Sequence, residues 1–235
     1  MIPWTELPGN DTTGILLIAD HASAIVPEGV DLGVPPELMH EHVAIDIGVA
    51  DVARALGYPA ILGGVSRLVI DLNREADSPG LVPTESDGHT IPGNIDADVA
   101  DRITRWWRPY HDHLAARIAA MRPALIVSLH SFTPGLRSRP GEKRPWQVGV
   151  LYNQDERAPR IAIPLLRAAG IVTGDNEPYS GKILNATMNR HAEGNGIPYL
   201  GFEVRQDLIG ESEGVAQWAA RLRPVIEATR VGLSG

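Results

Sequence analysis

Apolar residues in this chain gather into short blocks separated by helically spaced stretches and turn-rich loops. The blocks ILLIA, LIVSL and YLGFEV are rich in Ile, Val and Leu and are bounded by turn formers, so they read as fully buried strands. They predict strands from Ile15 to Ala19, from Ala124 to Leu129 and from Tyr199 to Val204. Further strands are expected at 59–65, 68–72 and 147–152. Between 37 and 56 the apolar positions Leu38, Ile45, Val49, Val52 and Leu56 recur at steps of three, four or seven, which predicts a helix closed by Gly57. Helices are also expected at 96–121 with a bend at Pro109, at 157–169 with a kink at Pro164, at 184–193 and at 214–229. Residues 1–13 read as a lead-in loop. Strands alternating with helices predict an α/β fold, a three-layer α/β/α sandwich around a mostly parallel, mixed sheet. No repeat, low-complexity segment or linker divides the chain, so one domain is expected over 1–235.

Two loops interrupt this rhythm. Residues 74–95 carry Pro79, Gly80, Pro83, Gly88, Pro92 and Gly93 with no periodicity. An irregular loop of about 20 residues is uncommon in a compact domain and is often functional. Residues 133–146 form a Pro-rich basic loop with Arg137, Arg139, Lys143 and Arg144.

Composition narrows the possibilities. A net charge of −8 without a basic block argues against nucleic acid or an anionic membrane as partner, yet leaves room for a local basic pocket facing a small anion. The absence of cysteine excludes disulfides, Cys-based zinc fingers and cysteine nucleophiles. The N-terminal segment lacks the basic start and apolar core of a secretory signal, and no apolar run approaches the ~18–20 residues that span a bilayer. A cytoplasmic protein acting on a small molecule is the expectation.

Chemistry is expected where the strands end, since ligands of open α/β sheets collect at the carboxyl ends of strands. His21 and His130 each follow an apolar strand. A catalytic zinc site takes three ligands from His, Asp and Glu; Asp46, beside the core positions Ile45 and Val49, is the candidate third. The competing reading is that each histidine caps a loop. SRLVIDLNR, at 66–74, places Arg67, Asp71, Asn73 and Arg74 around a short apolar core. It reads either as a carboxylate-binding cluster or as a strand edge salt-bridged from Arg67 to Asp71. Glu203 interrupts a buried strand, and is either paired with Arg205 on its own face or a general base with a raised pKa. His40, His42, His111 and His113 fall in helical patterns and read as surface or capping residues. Nucleophile-elbow, P-loop and dinucleotide fingerprints are missing.

In order along the chain, DHAS (20–23), AIDIG (44–48), SRLVIDLNR (66–74), DGHTIPGN (87–94), RPYHDHL (108–114), SLHSFTP (128–134), DNEPYSG (175–181) and FEVRQDLI (202–209) resemble the N-formylglutamate amidohydrolase family. That family is similar to zinc carboxypeptidases and aspartoacylases. The resemblance implies their fold, Zn2+ held by His21 and His130, Glu203 as the base, and Asn73 with Arg74 as the clamp on a substrate carboxylate. A hydrolytic mechanism built on these residues adds Arg67 as an oxyanion partner, with a further substrate contact expected from Tyr179 or Arg205. Zinc carboxypeptidases place a Glu three residues after the first ligand His; Ala24 stands there in this chain, and Asp46 is taken as the third ligand instead. The implied substrate is a small N-acyl amino acid such as N-formyl-L-glutamate, and the implied activity is metal-dependent amide hydrolysis. The alternatives are another N-acyl amino acid or small peptide, or a non-catalytic ligand-binding relative.

Overall fold

The computed structural model describes residues 1–234. Its strands are β1 (Trp4–Leu7), β2 (Ile15–Ala19), β3 (Ala60–Gly63), β4 (Glu85–Ser86), β5 (His89–Thr90), β6 (Leu125–Phe132), β7 (Val148–Leu151), β8 (Thr173–Asp175) and β9 (Tyr199–Arg205). Seven of them form one sheet in the order β1-β3-β2-β6-β9-β7-β8. The centre is parallel, β3 to β2, β2 to β6 and β6 to β9. The rims are mixed: β1 runs antiparallel to β3, and β7 antiparallel to β9 but parallel to β8. Every residue of β2 and β6 is buried, as expected of strands covered on both faces.

Helices α1 (Val49–Leu56), α4 (Pro159–Ala168) and α6 (Ser212–Gly232) pack together as one layer, while α3 (Arg108–Met121) meets α5 (Ala186–His191) in the other. α2 (Val99–Arg102) leads into α3 through a π-helical stretch, Ile103–Trp107. This wide turn lies just ahead of Pro109, whose missing N–H tolerates the altered ladder, and it buries Trp106 and Trp107. Among the described residues, no helix is long and apolar enough to cross a membrane.

The layered α/β architecture is as expected; several elements differ. The lead-in loop contains β1, and β8 forms where no strand is expected. The helix expected over 37–56 is confined to α1. A 3-10 turn at Pro36–His40 comes first, and Gly48, with φ 79°, caps the helix in the left-handed conformation. A Cβ on Gly48 would strike the carbonyl of Ile209, so the chain turns there and cannot continue as one helix. Residues 68–72 form no strand. Leu68 to Ile70 and Leu72 are fully buried, but their backbone is satisfied by turns on Ser66 and by the Leu81 carbonyl, which accepts from Asp71 N–H at 2.7 Å. β6 runs past its expected end at Leu129 to Phe132, which puts His130 inside the strand.

Candidate metal centre and cleft

Because β2, β6 and β9 are parallel, their carboxyl ends lie side by side. His21 stands just beyond β2, and His130 and Glu203 face each other in register on β6 and β9. Asp46 arrives from the turn before α1, where its own N–H donates to the His21 carbonyl at 2.9 Å. One ligand atom from each of His21, Asp46 and His130 lies within 4.8 Å of the others, and all three residues are buried.

The donor set fits a divalent cation. Asp46 Oδ2 is 2.9 Å from His130 Nδ1 and 3.5 Å from His21 Nδ1. Two ligands on a tetrahedral zinc, each at about 2.0–2.1 Å, stand roughly 3.3 Å apart. His21 Nδ1 is buried with no hydrogen-bond partner among the described residues, and an unsatisfied buried polar atom is costly. The other ring nitrogen, Nε2, lies 2.7 Å from Asp71 Oδ1. A carboxylate at that position fixes the tautomer and leaves the Nδ1 lone pair free for a cation.

The charges are strongly coupled. Burial and the Arg67 guanidinium work to lower the His21 pKa, but Asp71 and Asp46 outweigh them and lift it to about 9. Burial opposes ionisation of Asp46 and Asp71, yet His21 beside both, with His130 or Arg67, holds each well below the carboxylate range. Glu203 goes the other way: burial, reinforced by Asp46, pushes it up to about 7 despite His130 and Arg67.

Apart from the buried Asp46, and from Arg205, every site residue singled out in the sequence lines one cleft of about 360 Å3. Arg67 spans Asp46 Oδ1 at 3.2 Å and Asp71 Oδ2 at 3.0 Å. The salt bridge expected between Arg67 and Asp71 therefore exists, and it lies in the site. Asn73 Oδ1 accepts the Thr187 N–H at 3.0 Å, which turns its amide donors the other way. Arg74, a third exposed, makes no closer ion pair among the described residues than a 3.7 Å approach to Asp71. The Tyr179 hydroxyl accepts from Arg144 at 3.0 Å. Arg205 does not line the cleft: it neither pairs with Glu203 nor faces the site, because Asp207 takes its guanidinium at 2.8 Å. Below His130 and Glu203, the register pairs Ser128 with Gly201, two small residues that leave the cleft its floor.

Several contacts around the site are not those expected from the sequence. Asp71 backs His21, a role that its spacing to Arg67 conceals. Asp87 accepts from the Arg137 and Ser138 backbone at 2.9 and 2.8 Å, from the Ser138 hydroxyl and from His42, pinning the 133–146 loop over the cleft. His111 is no surface residue: its Nδ1 lies 2.9 Å from buried His191, and its Nε2 donates to the Leu72 carbonyl. The spacing of His111, Leu114 and Ile118 on one buried face carried that signal.

Residues 13–210 match the sequence profile of a family described as N-formylglutamate amidohydrolase. No curated protein matches the chain. A structure of a gene product from Agrobacterium tumefaciens, 28% identical, superposes with a TM-score of 0.88, covering 100% of this chain and 96% of that one. The N-formylglutamate amidohydrolase of Ralstonia eutropha is 21% identical, with a TM-score of 0.67 over 99% of this chain and 97% of that one, and shares the fold. The profile extends from β2, through both histidines and Glu203, to the end of the FEVRQDLI segment, and by that match the chain belongs to the N-formylglutamate amidohydrolase family.

Proposed function

We propose that this protein hydrolyses the amide bond of a small N-acyl amino acid of the N-formyl class, such as N-formyl-L-glutamate, releasing formate and the free amino acid. His21, Asp46 and His130 would hold Zn2+ or another divalent cation, which would supply Lewis acidity for amide hydrolysis there. Glu203 takes a proton from the attacking water and returns it to the leaving nitrogen as the C–N bond breaks. Asn73, its amide turned outward by Thr187, and the loosely held Arg74 bind the substrate carboxylate. Arg67, beside both aspartates, faces the developing oxyanion, and Tyr179 adds a wall contact.

The observation that carries this reading is a buried two-histidine, one-carboxylate cluster beside a separate carboxyl, Glu203, whose Oε2 is buried with no hydrogen-bond partner among the described residues. A larger acyl group or a small peptide is the second reading. It is favoured by the depth of the cleft, which reaches the Ser128–Gly201 pair beneath the reacting groups. The test is metal analysis of the purified protein, then formate release from N-formyl-L-glutamate beside a panel of N-formyl and N-acetyl amino acids. Formate release that a chelator abolishes and zinc restores supports the proposal; a zinc-loaded protein that cleaves none of the panel refutes it.

A further inference from the structure

Behind His130 lies a polar group that the proposed reaction does not use. Asp20 is 1% exposed, among the most buried carboxylates of the chain. Its Oδ1 accepts from the Tyr110 hydroxyl at 2.7 Å and from the Thr187 hydroxyl at 3.0 Å. Its Oδ2 has no hydrogen-bond partner among the described residues and stands 3.6 Å from His130 Nε2, which has none either. That gap exceeds the upper end of ordinary N–H···O distances, about 3.2 Å, by a few tenths of an ångström. His130 turns its other nitrogen, Nδ1, towards Asp46 Oδ2 at 2.9 Å. Asp20 Oδ2 is the carboxylate oxygen that the structure places opposite His130 Nε2.

Asp20 is held by a wider frame. Thr187 and Tyr110 are fully buried. Thr187 also gives its N–H to Asn73 Oδ1, so the threonine that anchors Asp20 with its hydroxyl orients Asn73 with its backbone. A carboxylate needed only to accept from Tyr110 and Thr187 would leave Oδ2 dry and unpaired at a cost. Resting on the metal site proposed above, we infer that Asp20, fixed by Tyr110 and Thr187, is the positioning carboxylate of His130. It sets the tautomer and ring direction of that histidine as Asp71 does for His21, and Thr187 ties this support to the Asn73 clamp. Residues 20 and 21 are neighbours in sequence, yet each serves a different part of the centre.

The test measures the zinc dissociation constant by chelator competition, with the melting temperature as a check on folding. Thr187→Val deletes the hydroxyl and keeps both the shape and the N–H to Asn73; Tyr110→Phe deletes the other donor. Loss of such outer support weakens metal binding about 10–100-fold, and each variant is expected to show a loss in that range. Thr187→Ser, which restores the hydroxyl, is expected to bind zinc like the wild type. Folded variants that bind zinc as tightly as the wild type overturn the inference while leaving the metal site standing. A wild-type chain that takes up no zinc overturns both.

Discussion

Glu203 stands on a central strand directly across from His130, and burial lifts its pKa to about 7. Asp46 and Asp71 are as deeply placed but remain ionised, because imidazole and guanidinium groups lie against them. The buried carboxylates around the two histidines thus divide into fixed anions and one group that titrates near neutrality, the division of roles that the proposed reaction uses. Glu203→Gln keeps the shape and removes the carboxylate that accepts the proton. We expect zinc content to persist and kcat to fall by roughly 10²–10⁴-fold; full activity with zinc retained places the base elsewhere. The base works when ionised, and a cation beside it favours ionisation. The ascending limb of kcat/KM for the wild type therefore lies at or below about pH 7. Glu203 was legible in the sequence because an acid breaks an apolar strand, and both histidines because each follows a run of apolar residues. Arg205 misled because period-two alternation puts it on the Glu203 face, whereas β9 ends there and Asp207, two residues on, captures the guanidinium.

At the level of elements, the cleft depends on places where the chain departs from regular periodicity. Asp46 reaches the histidines because α1 starts late, after the left-handed Gly48. Gly48→Ala forces a side chain into a conformation that costs about 1–2 kcal/mol and also drives a Cβ at the Ile209 carbonyl. A lower melting temperature and weaker zinc binding are expected together; a variant that melts and binds like the wild type refutes this account of the break. Asp87 clasps the 133–146 loop. Hydrogen bonds from Ser138 and Arg137, against the upward push of burial, hold its carboxyl at about 2. Asp87→Ala frees that loop, and steady-state kinetics should show KM raised with kcat nearly unchanged; an unaltered KM would mean the loop does not shape substrate binding. Neither feature could be read from hydrophobic spacing. A step of three or four residues does not report the sign of φ at a glycine, and an aspartate that caps a loop 50 residues away leaves no local pattern. The central strands were legible because full burial demands continuous apolar runs; of the rim strands, β1 is largely exposed and β8 is only the three residues Thr173–Asp175.

Across the whole molecule, buried ionisable groups tie stability to pH through the difference between folded and unfolded pKa values. Burial, with Arg190 and the neighbouring imidazole, holds His111 at about 3, and burial with Arg190 holds His191 at about 4. The contribution of this neutral pair is present above 6.5 and is lost as pH falls through those values. Asp46 and Asp71 add to the acid side, since both are held below 3.8. His21 has the opposite sign. Its folded pKa of about 9 exceeds the unfolded 6.5, so in the metal-free protein its contribution is complete below 6.5 and is lost as pH rises through 9. A cation at Nδ1 requires the neutral ring, so metal and proton compete for the same lone pair. Between pH 6.5 and 9 the metal-free protein should lose stability while zinc binds more tightly. One proton exchanged per metal amounts to about 1.4 kcal/mol for each pH unit. The melting-temperature gap between zinc-saturated and chelator-treated protein should accordingly widen across that interval. A gap that stays constant would show that zinc displaces no proton from His21, and the assignment of Nδ1 as a metal ligand would fall with it.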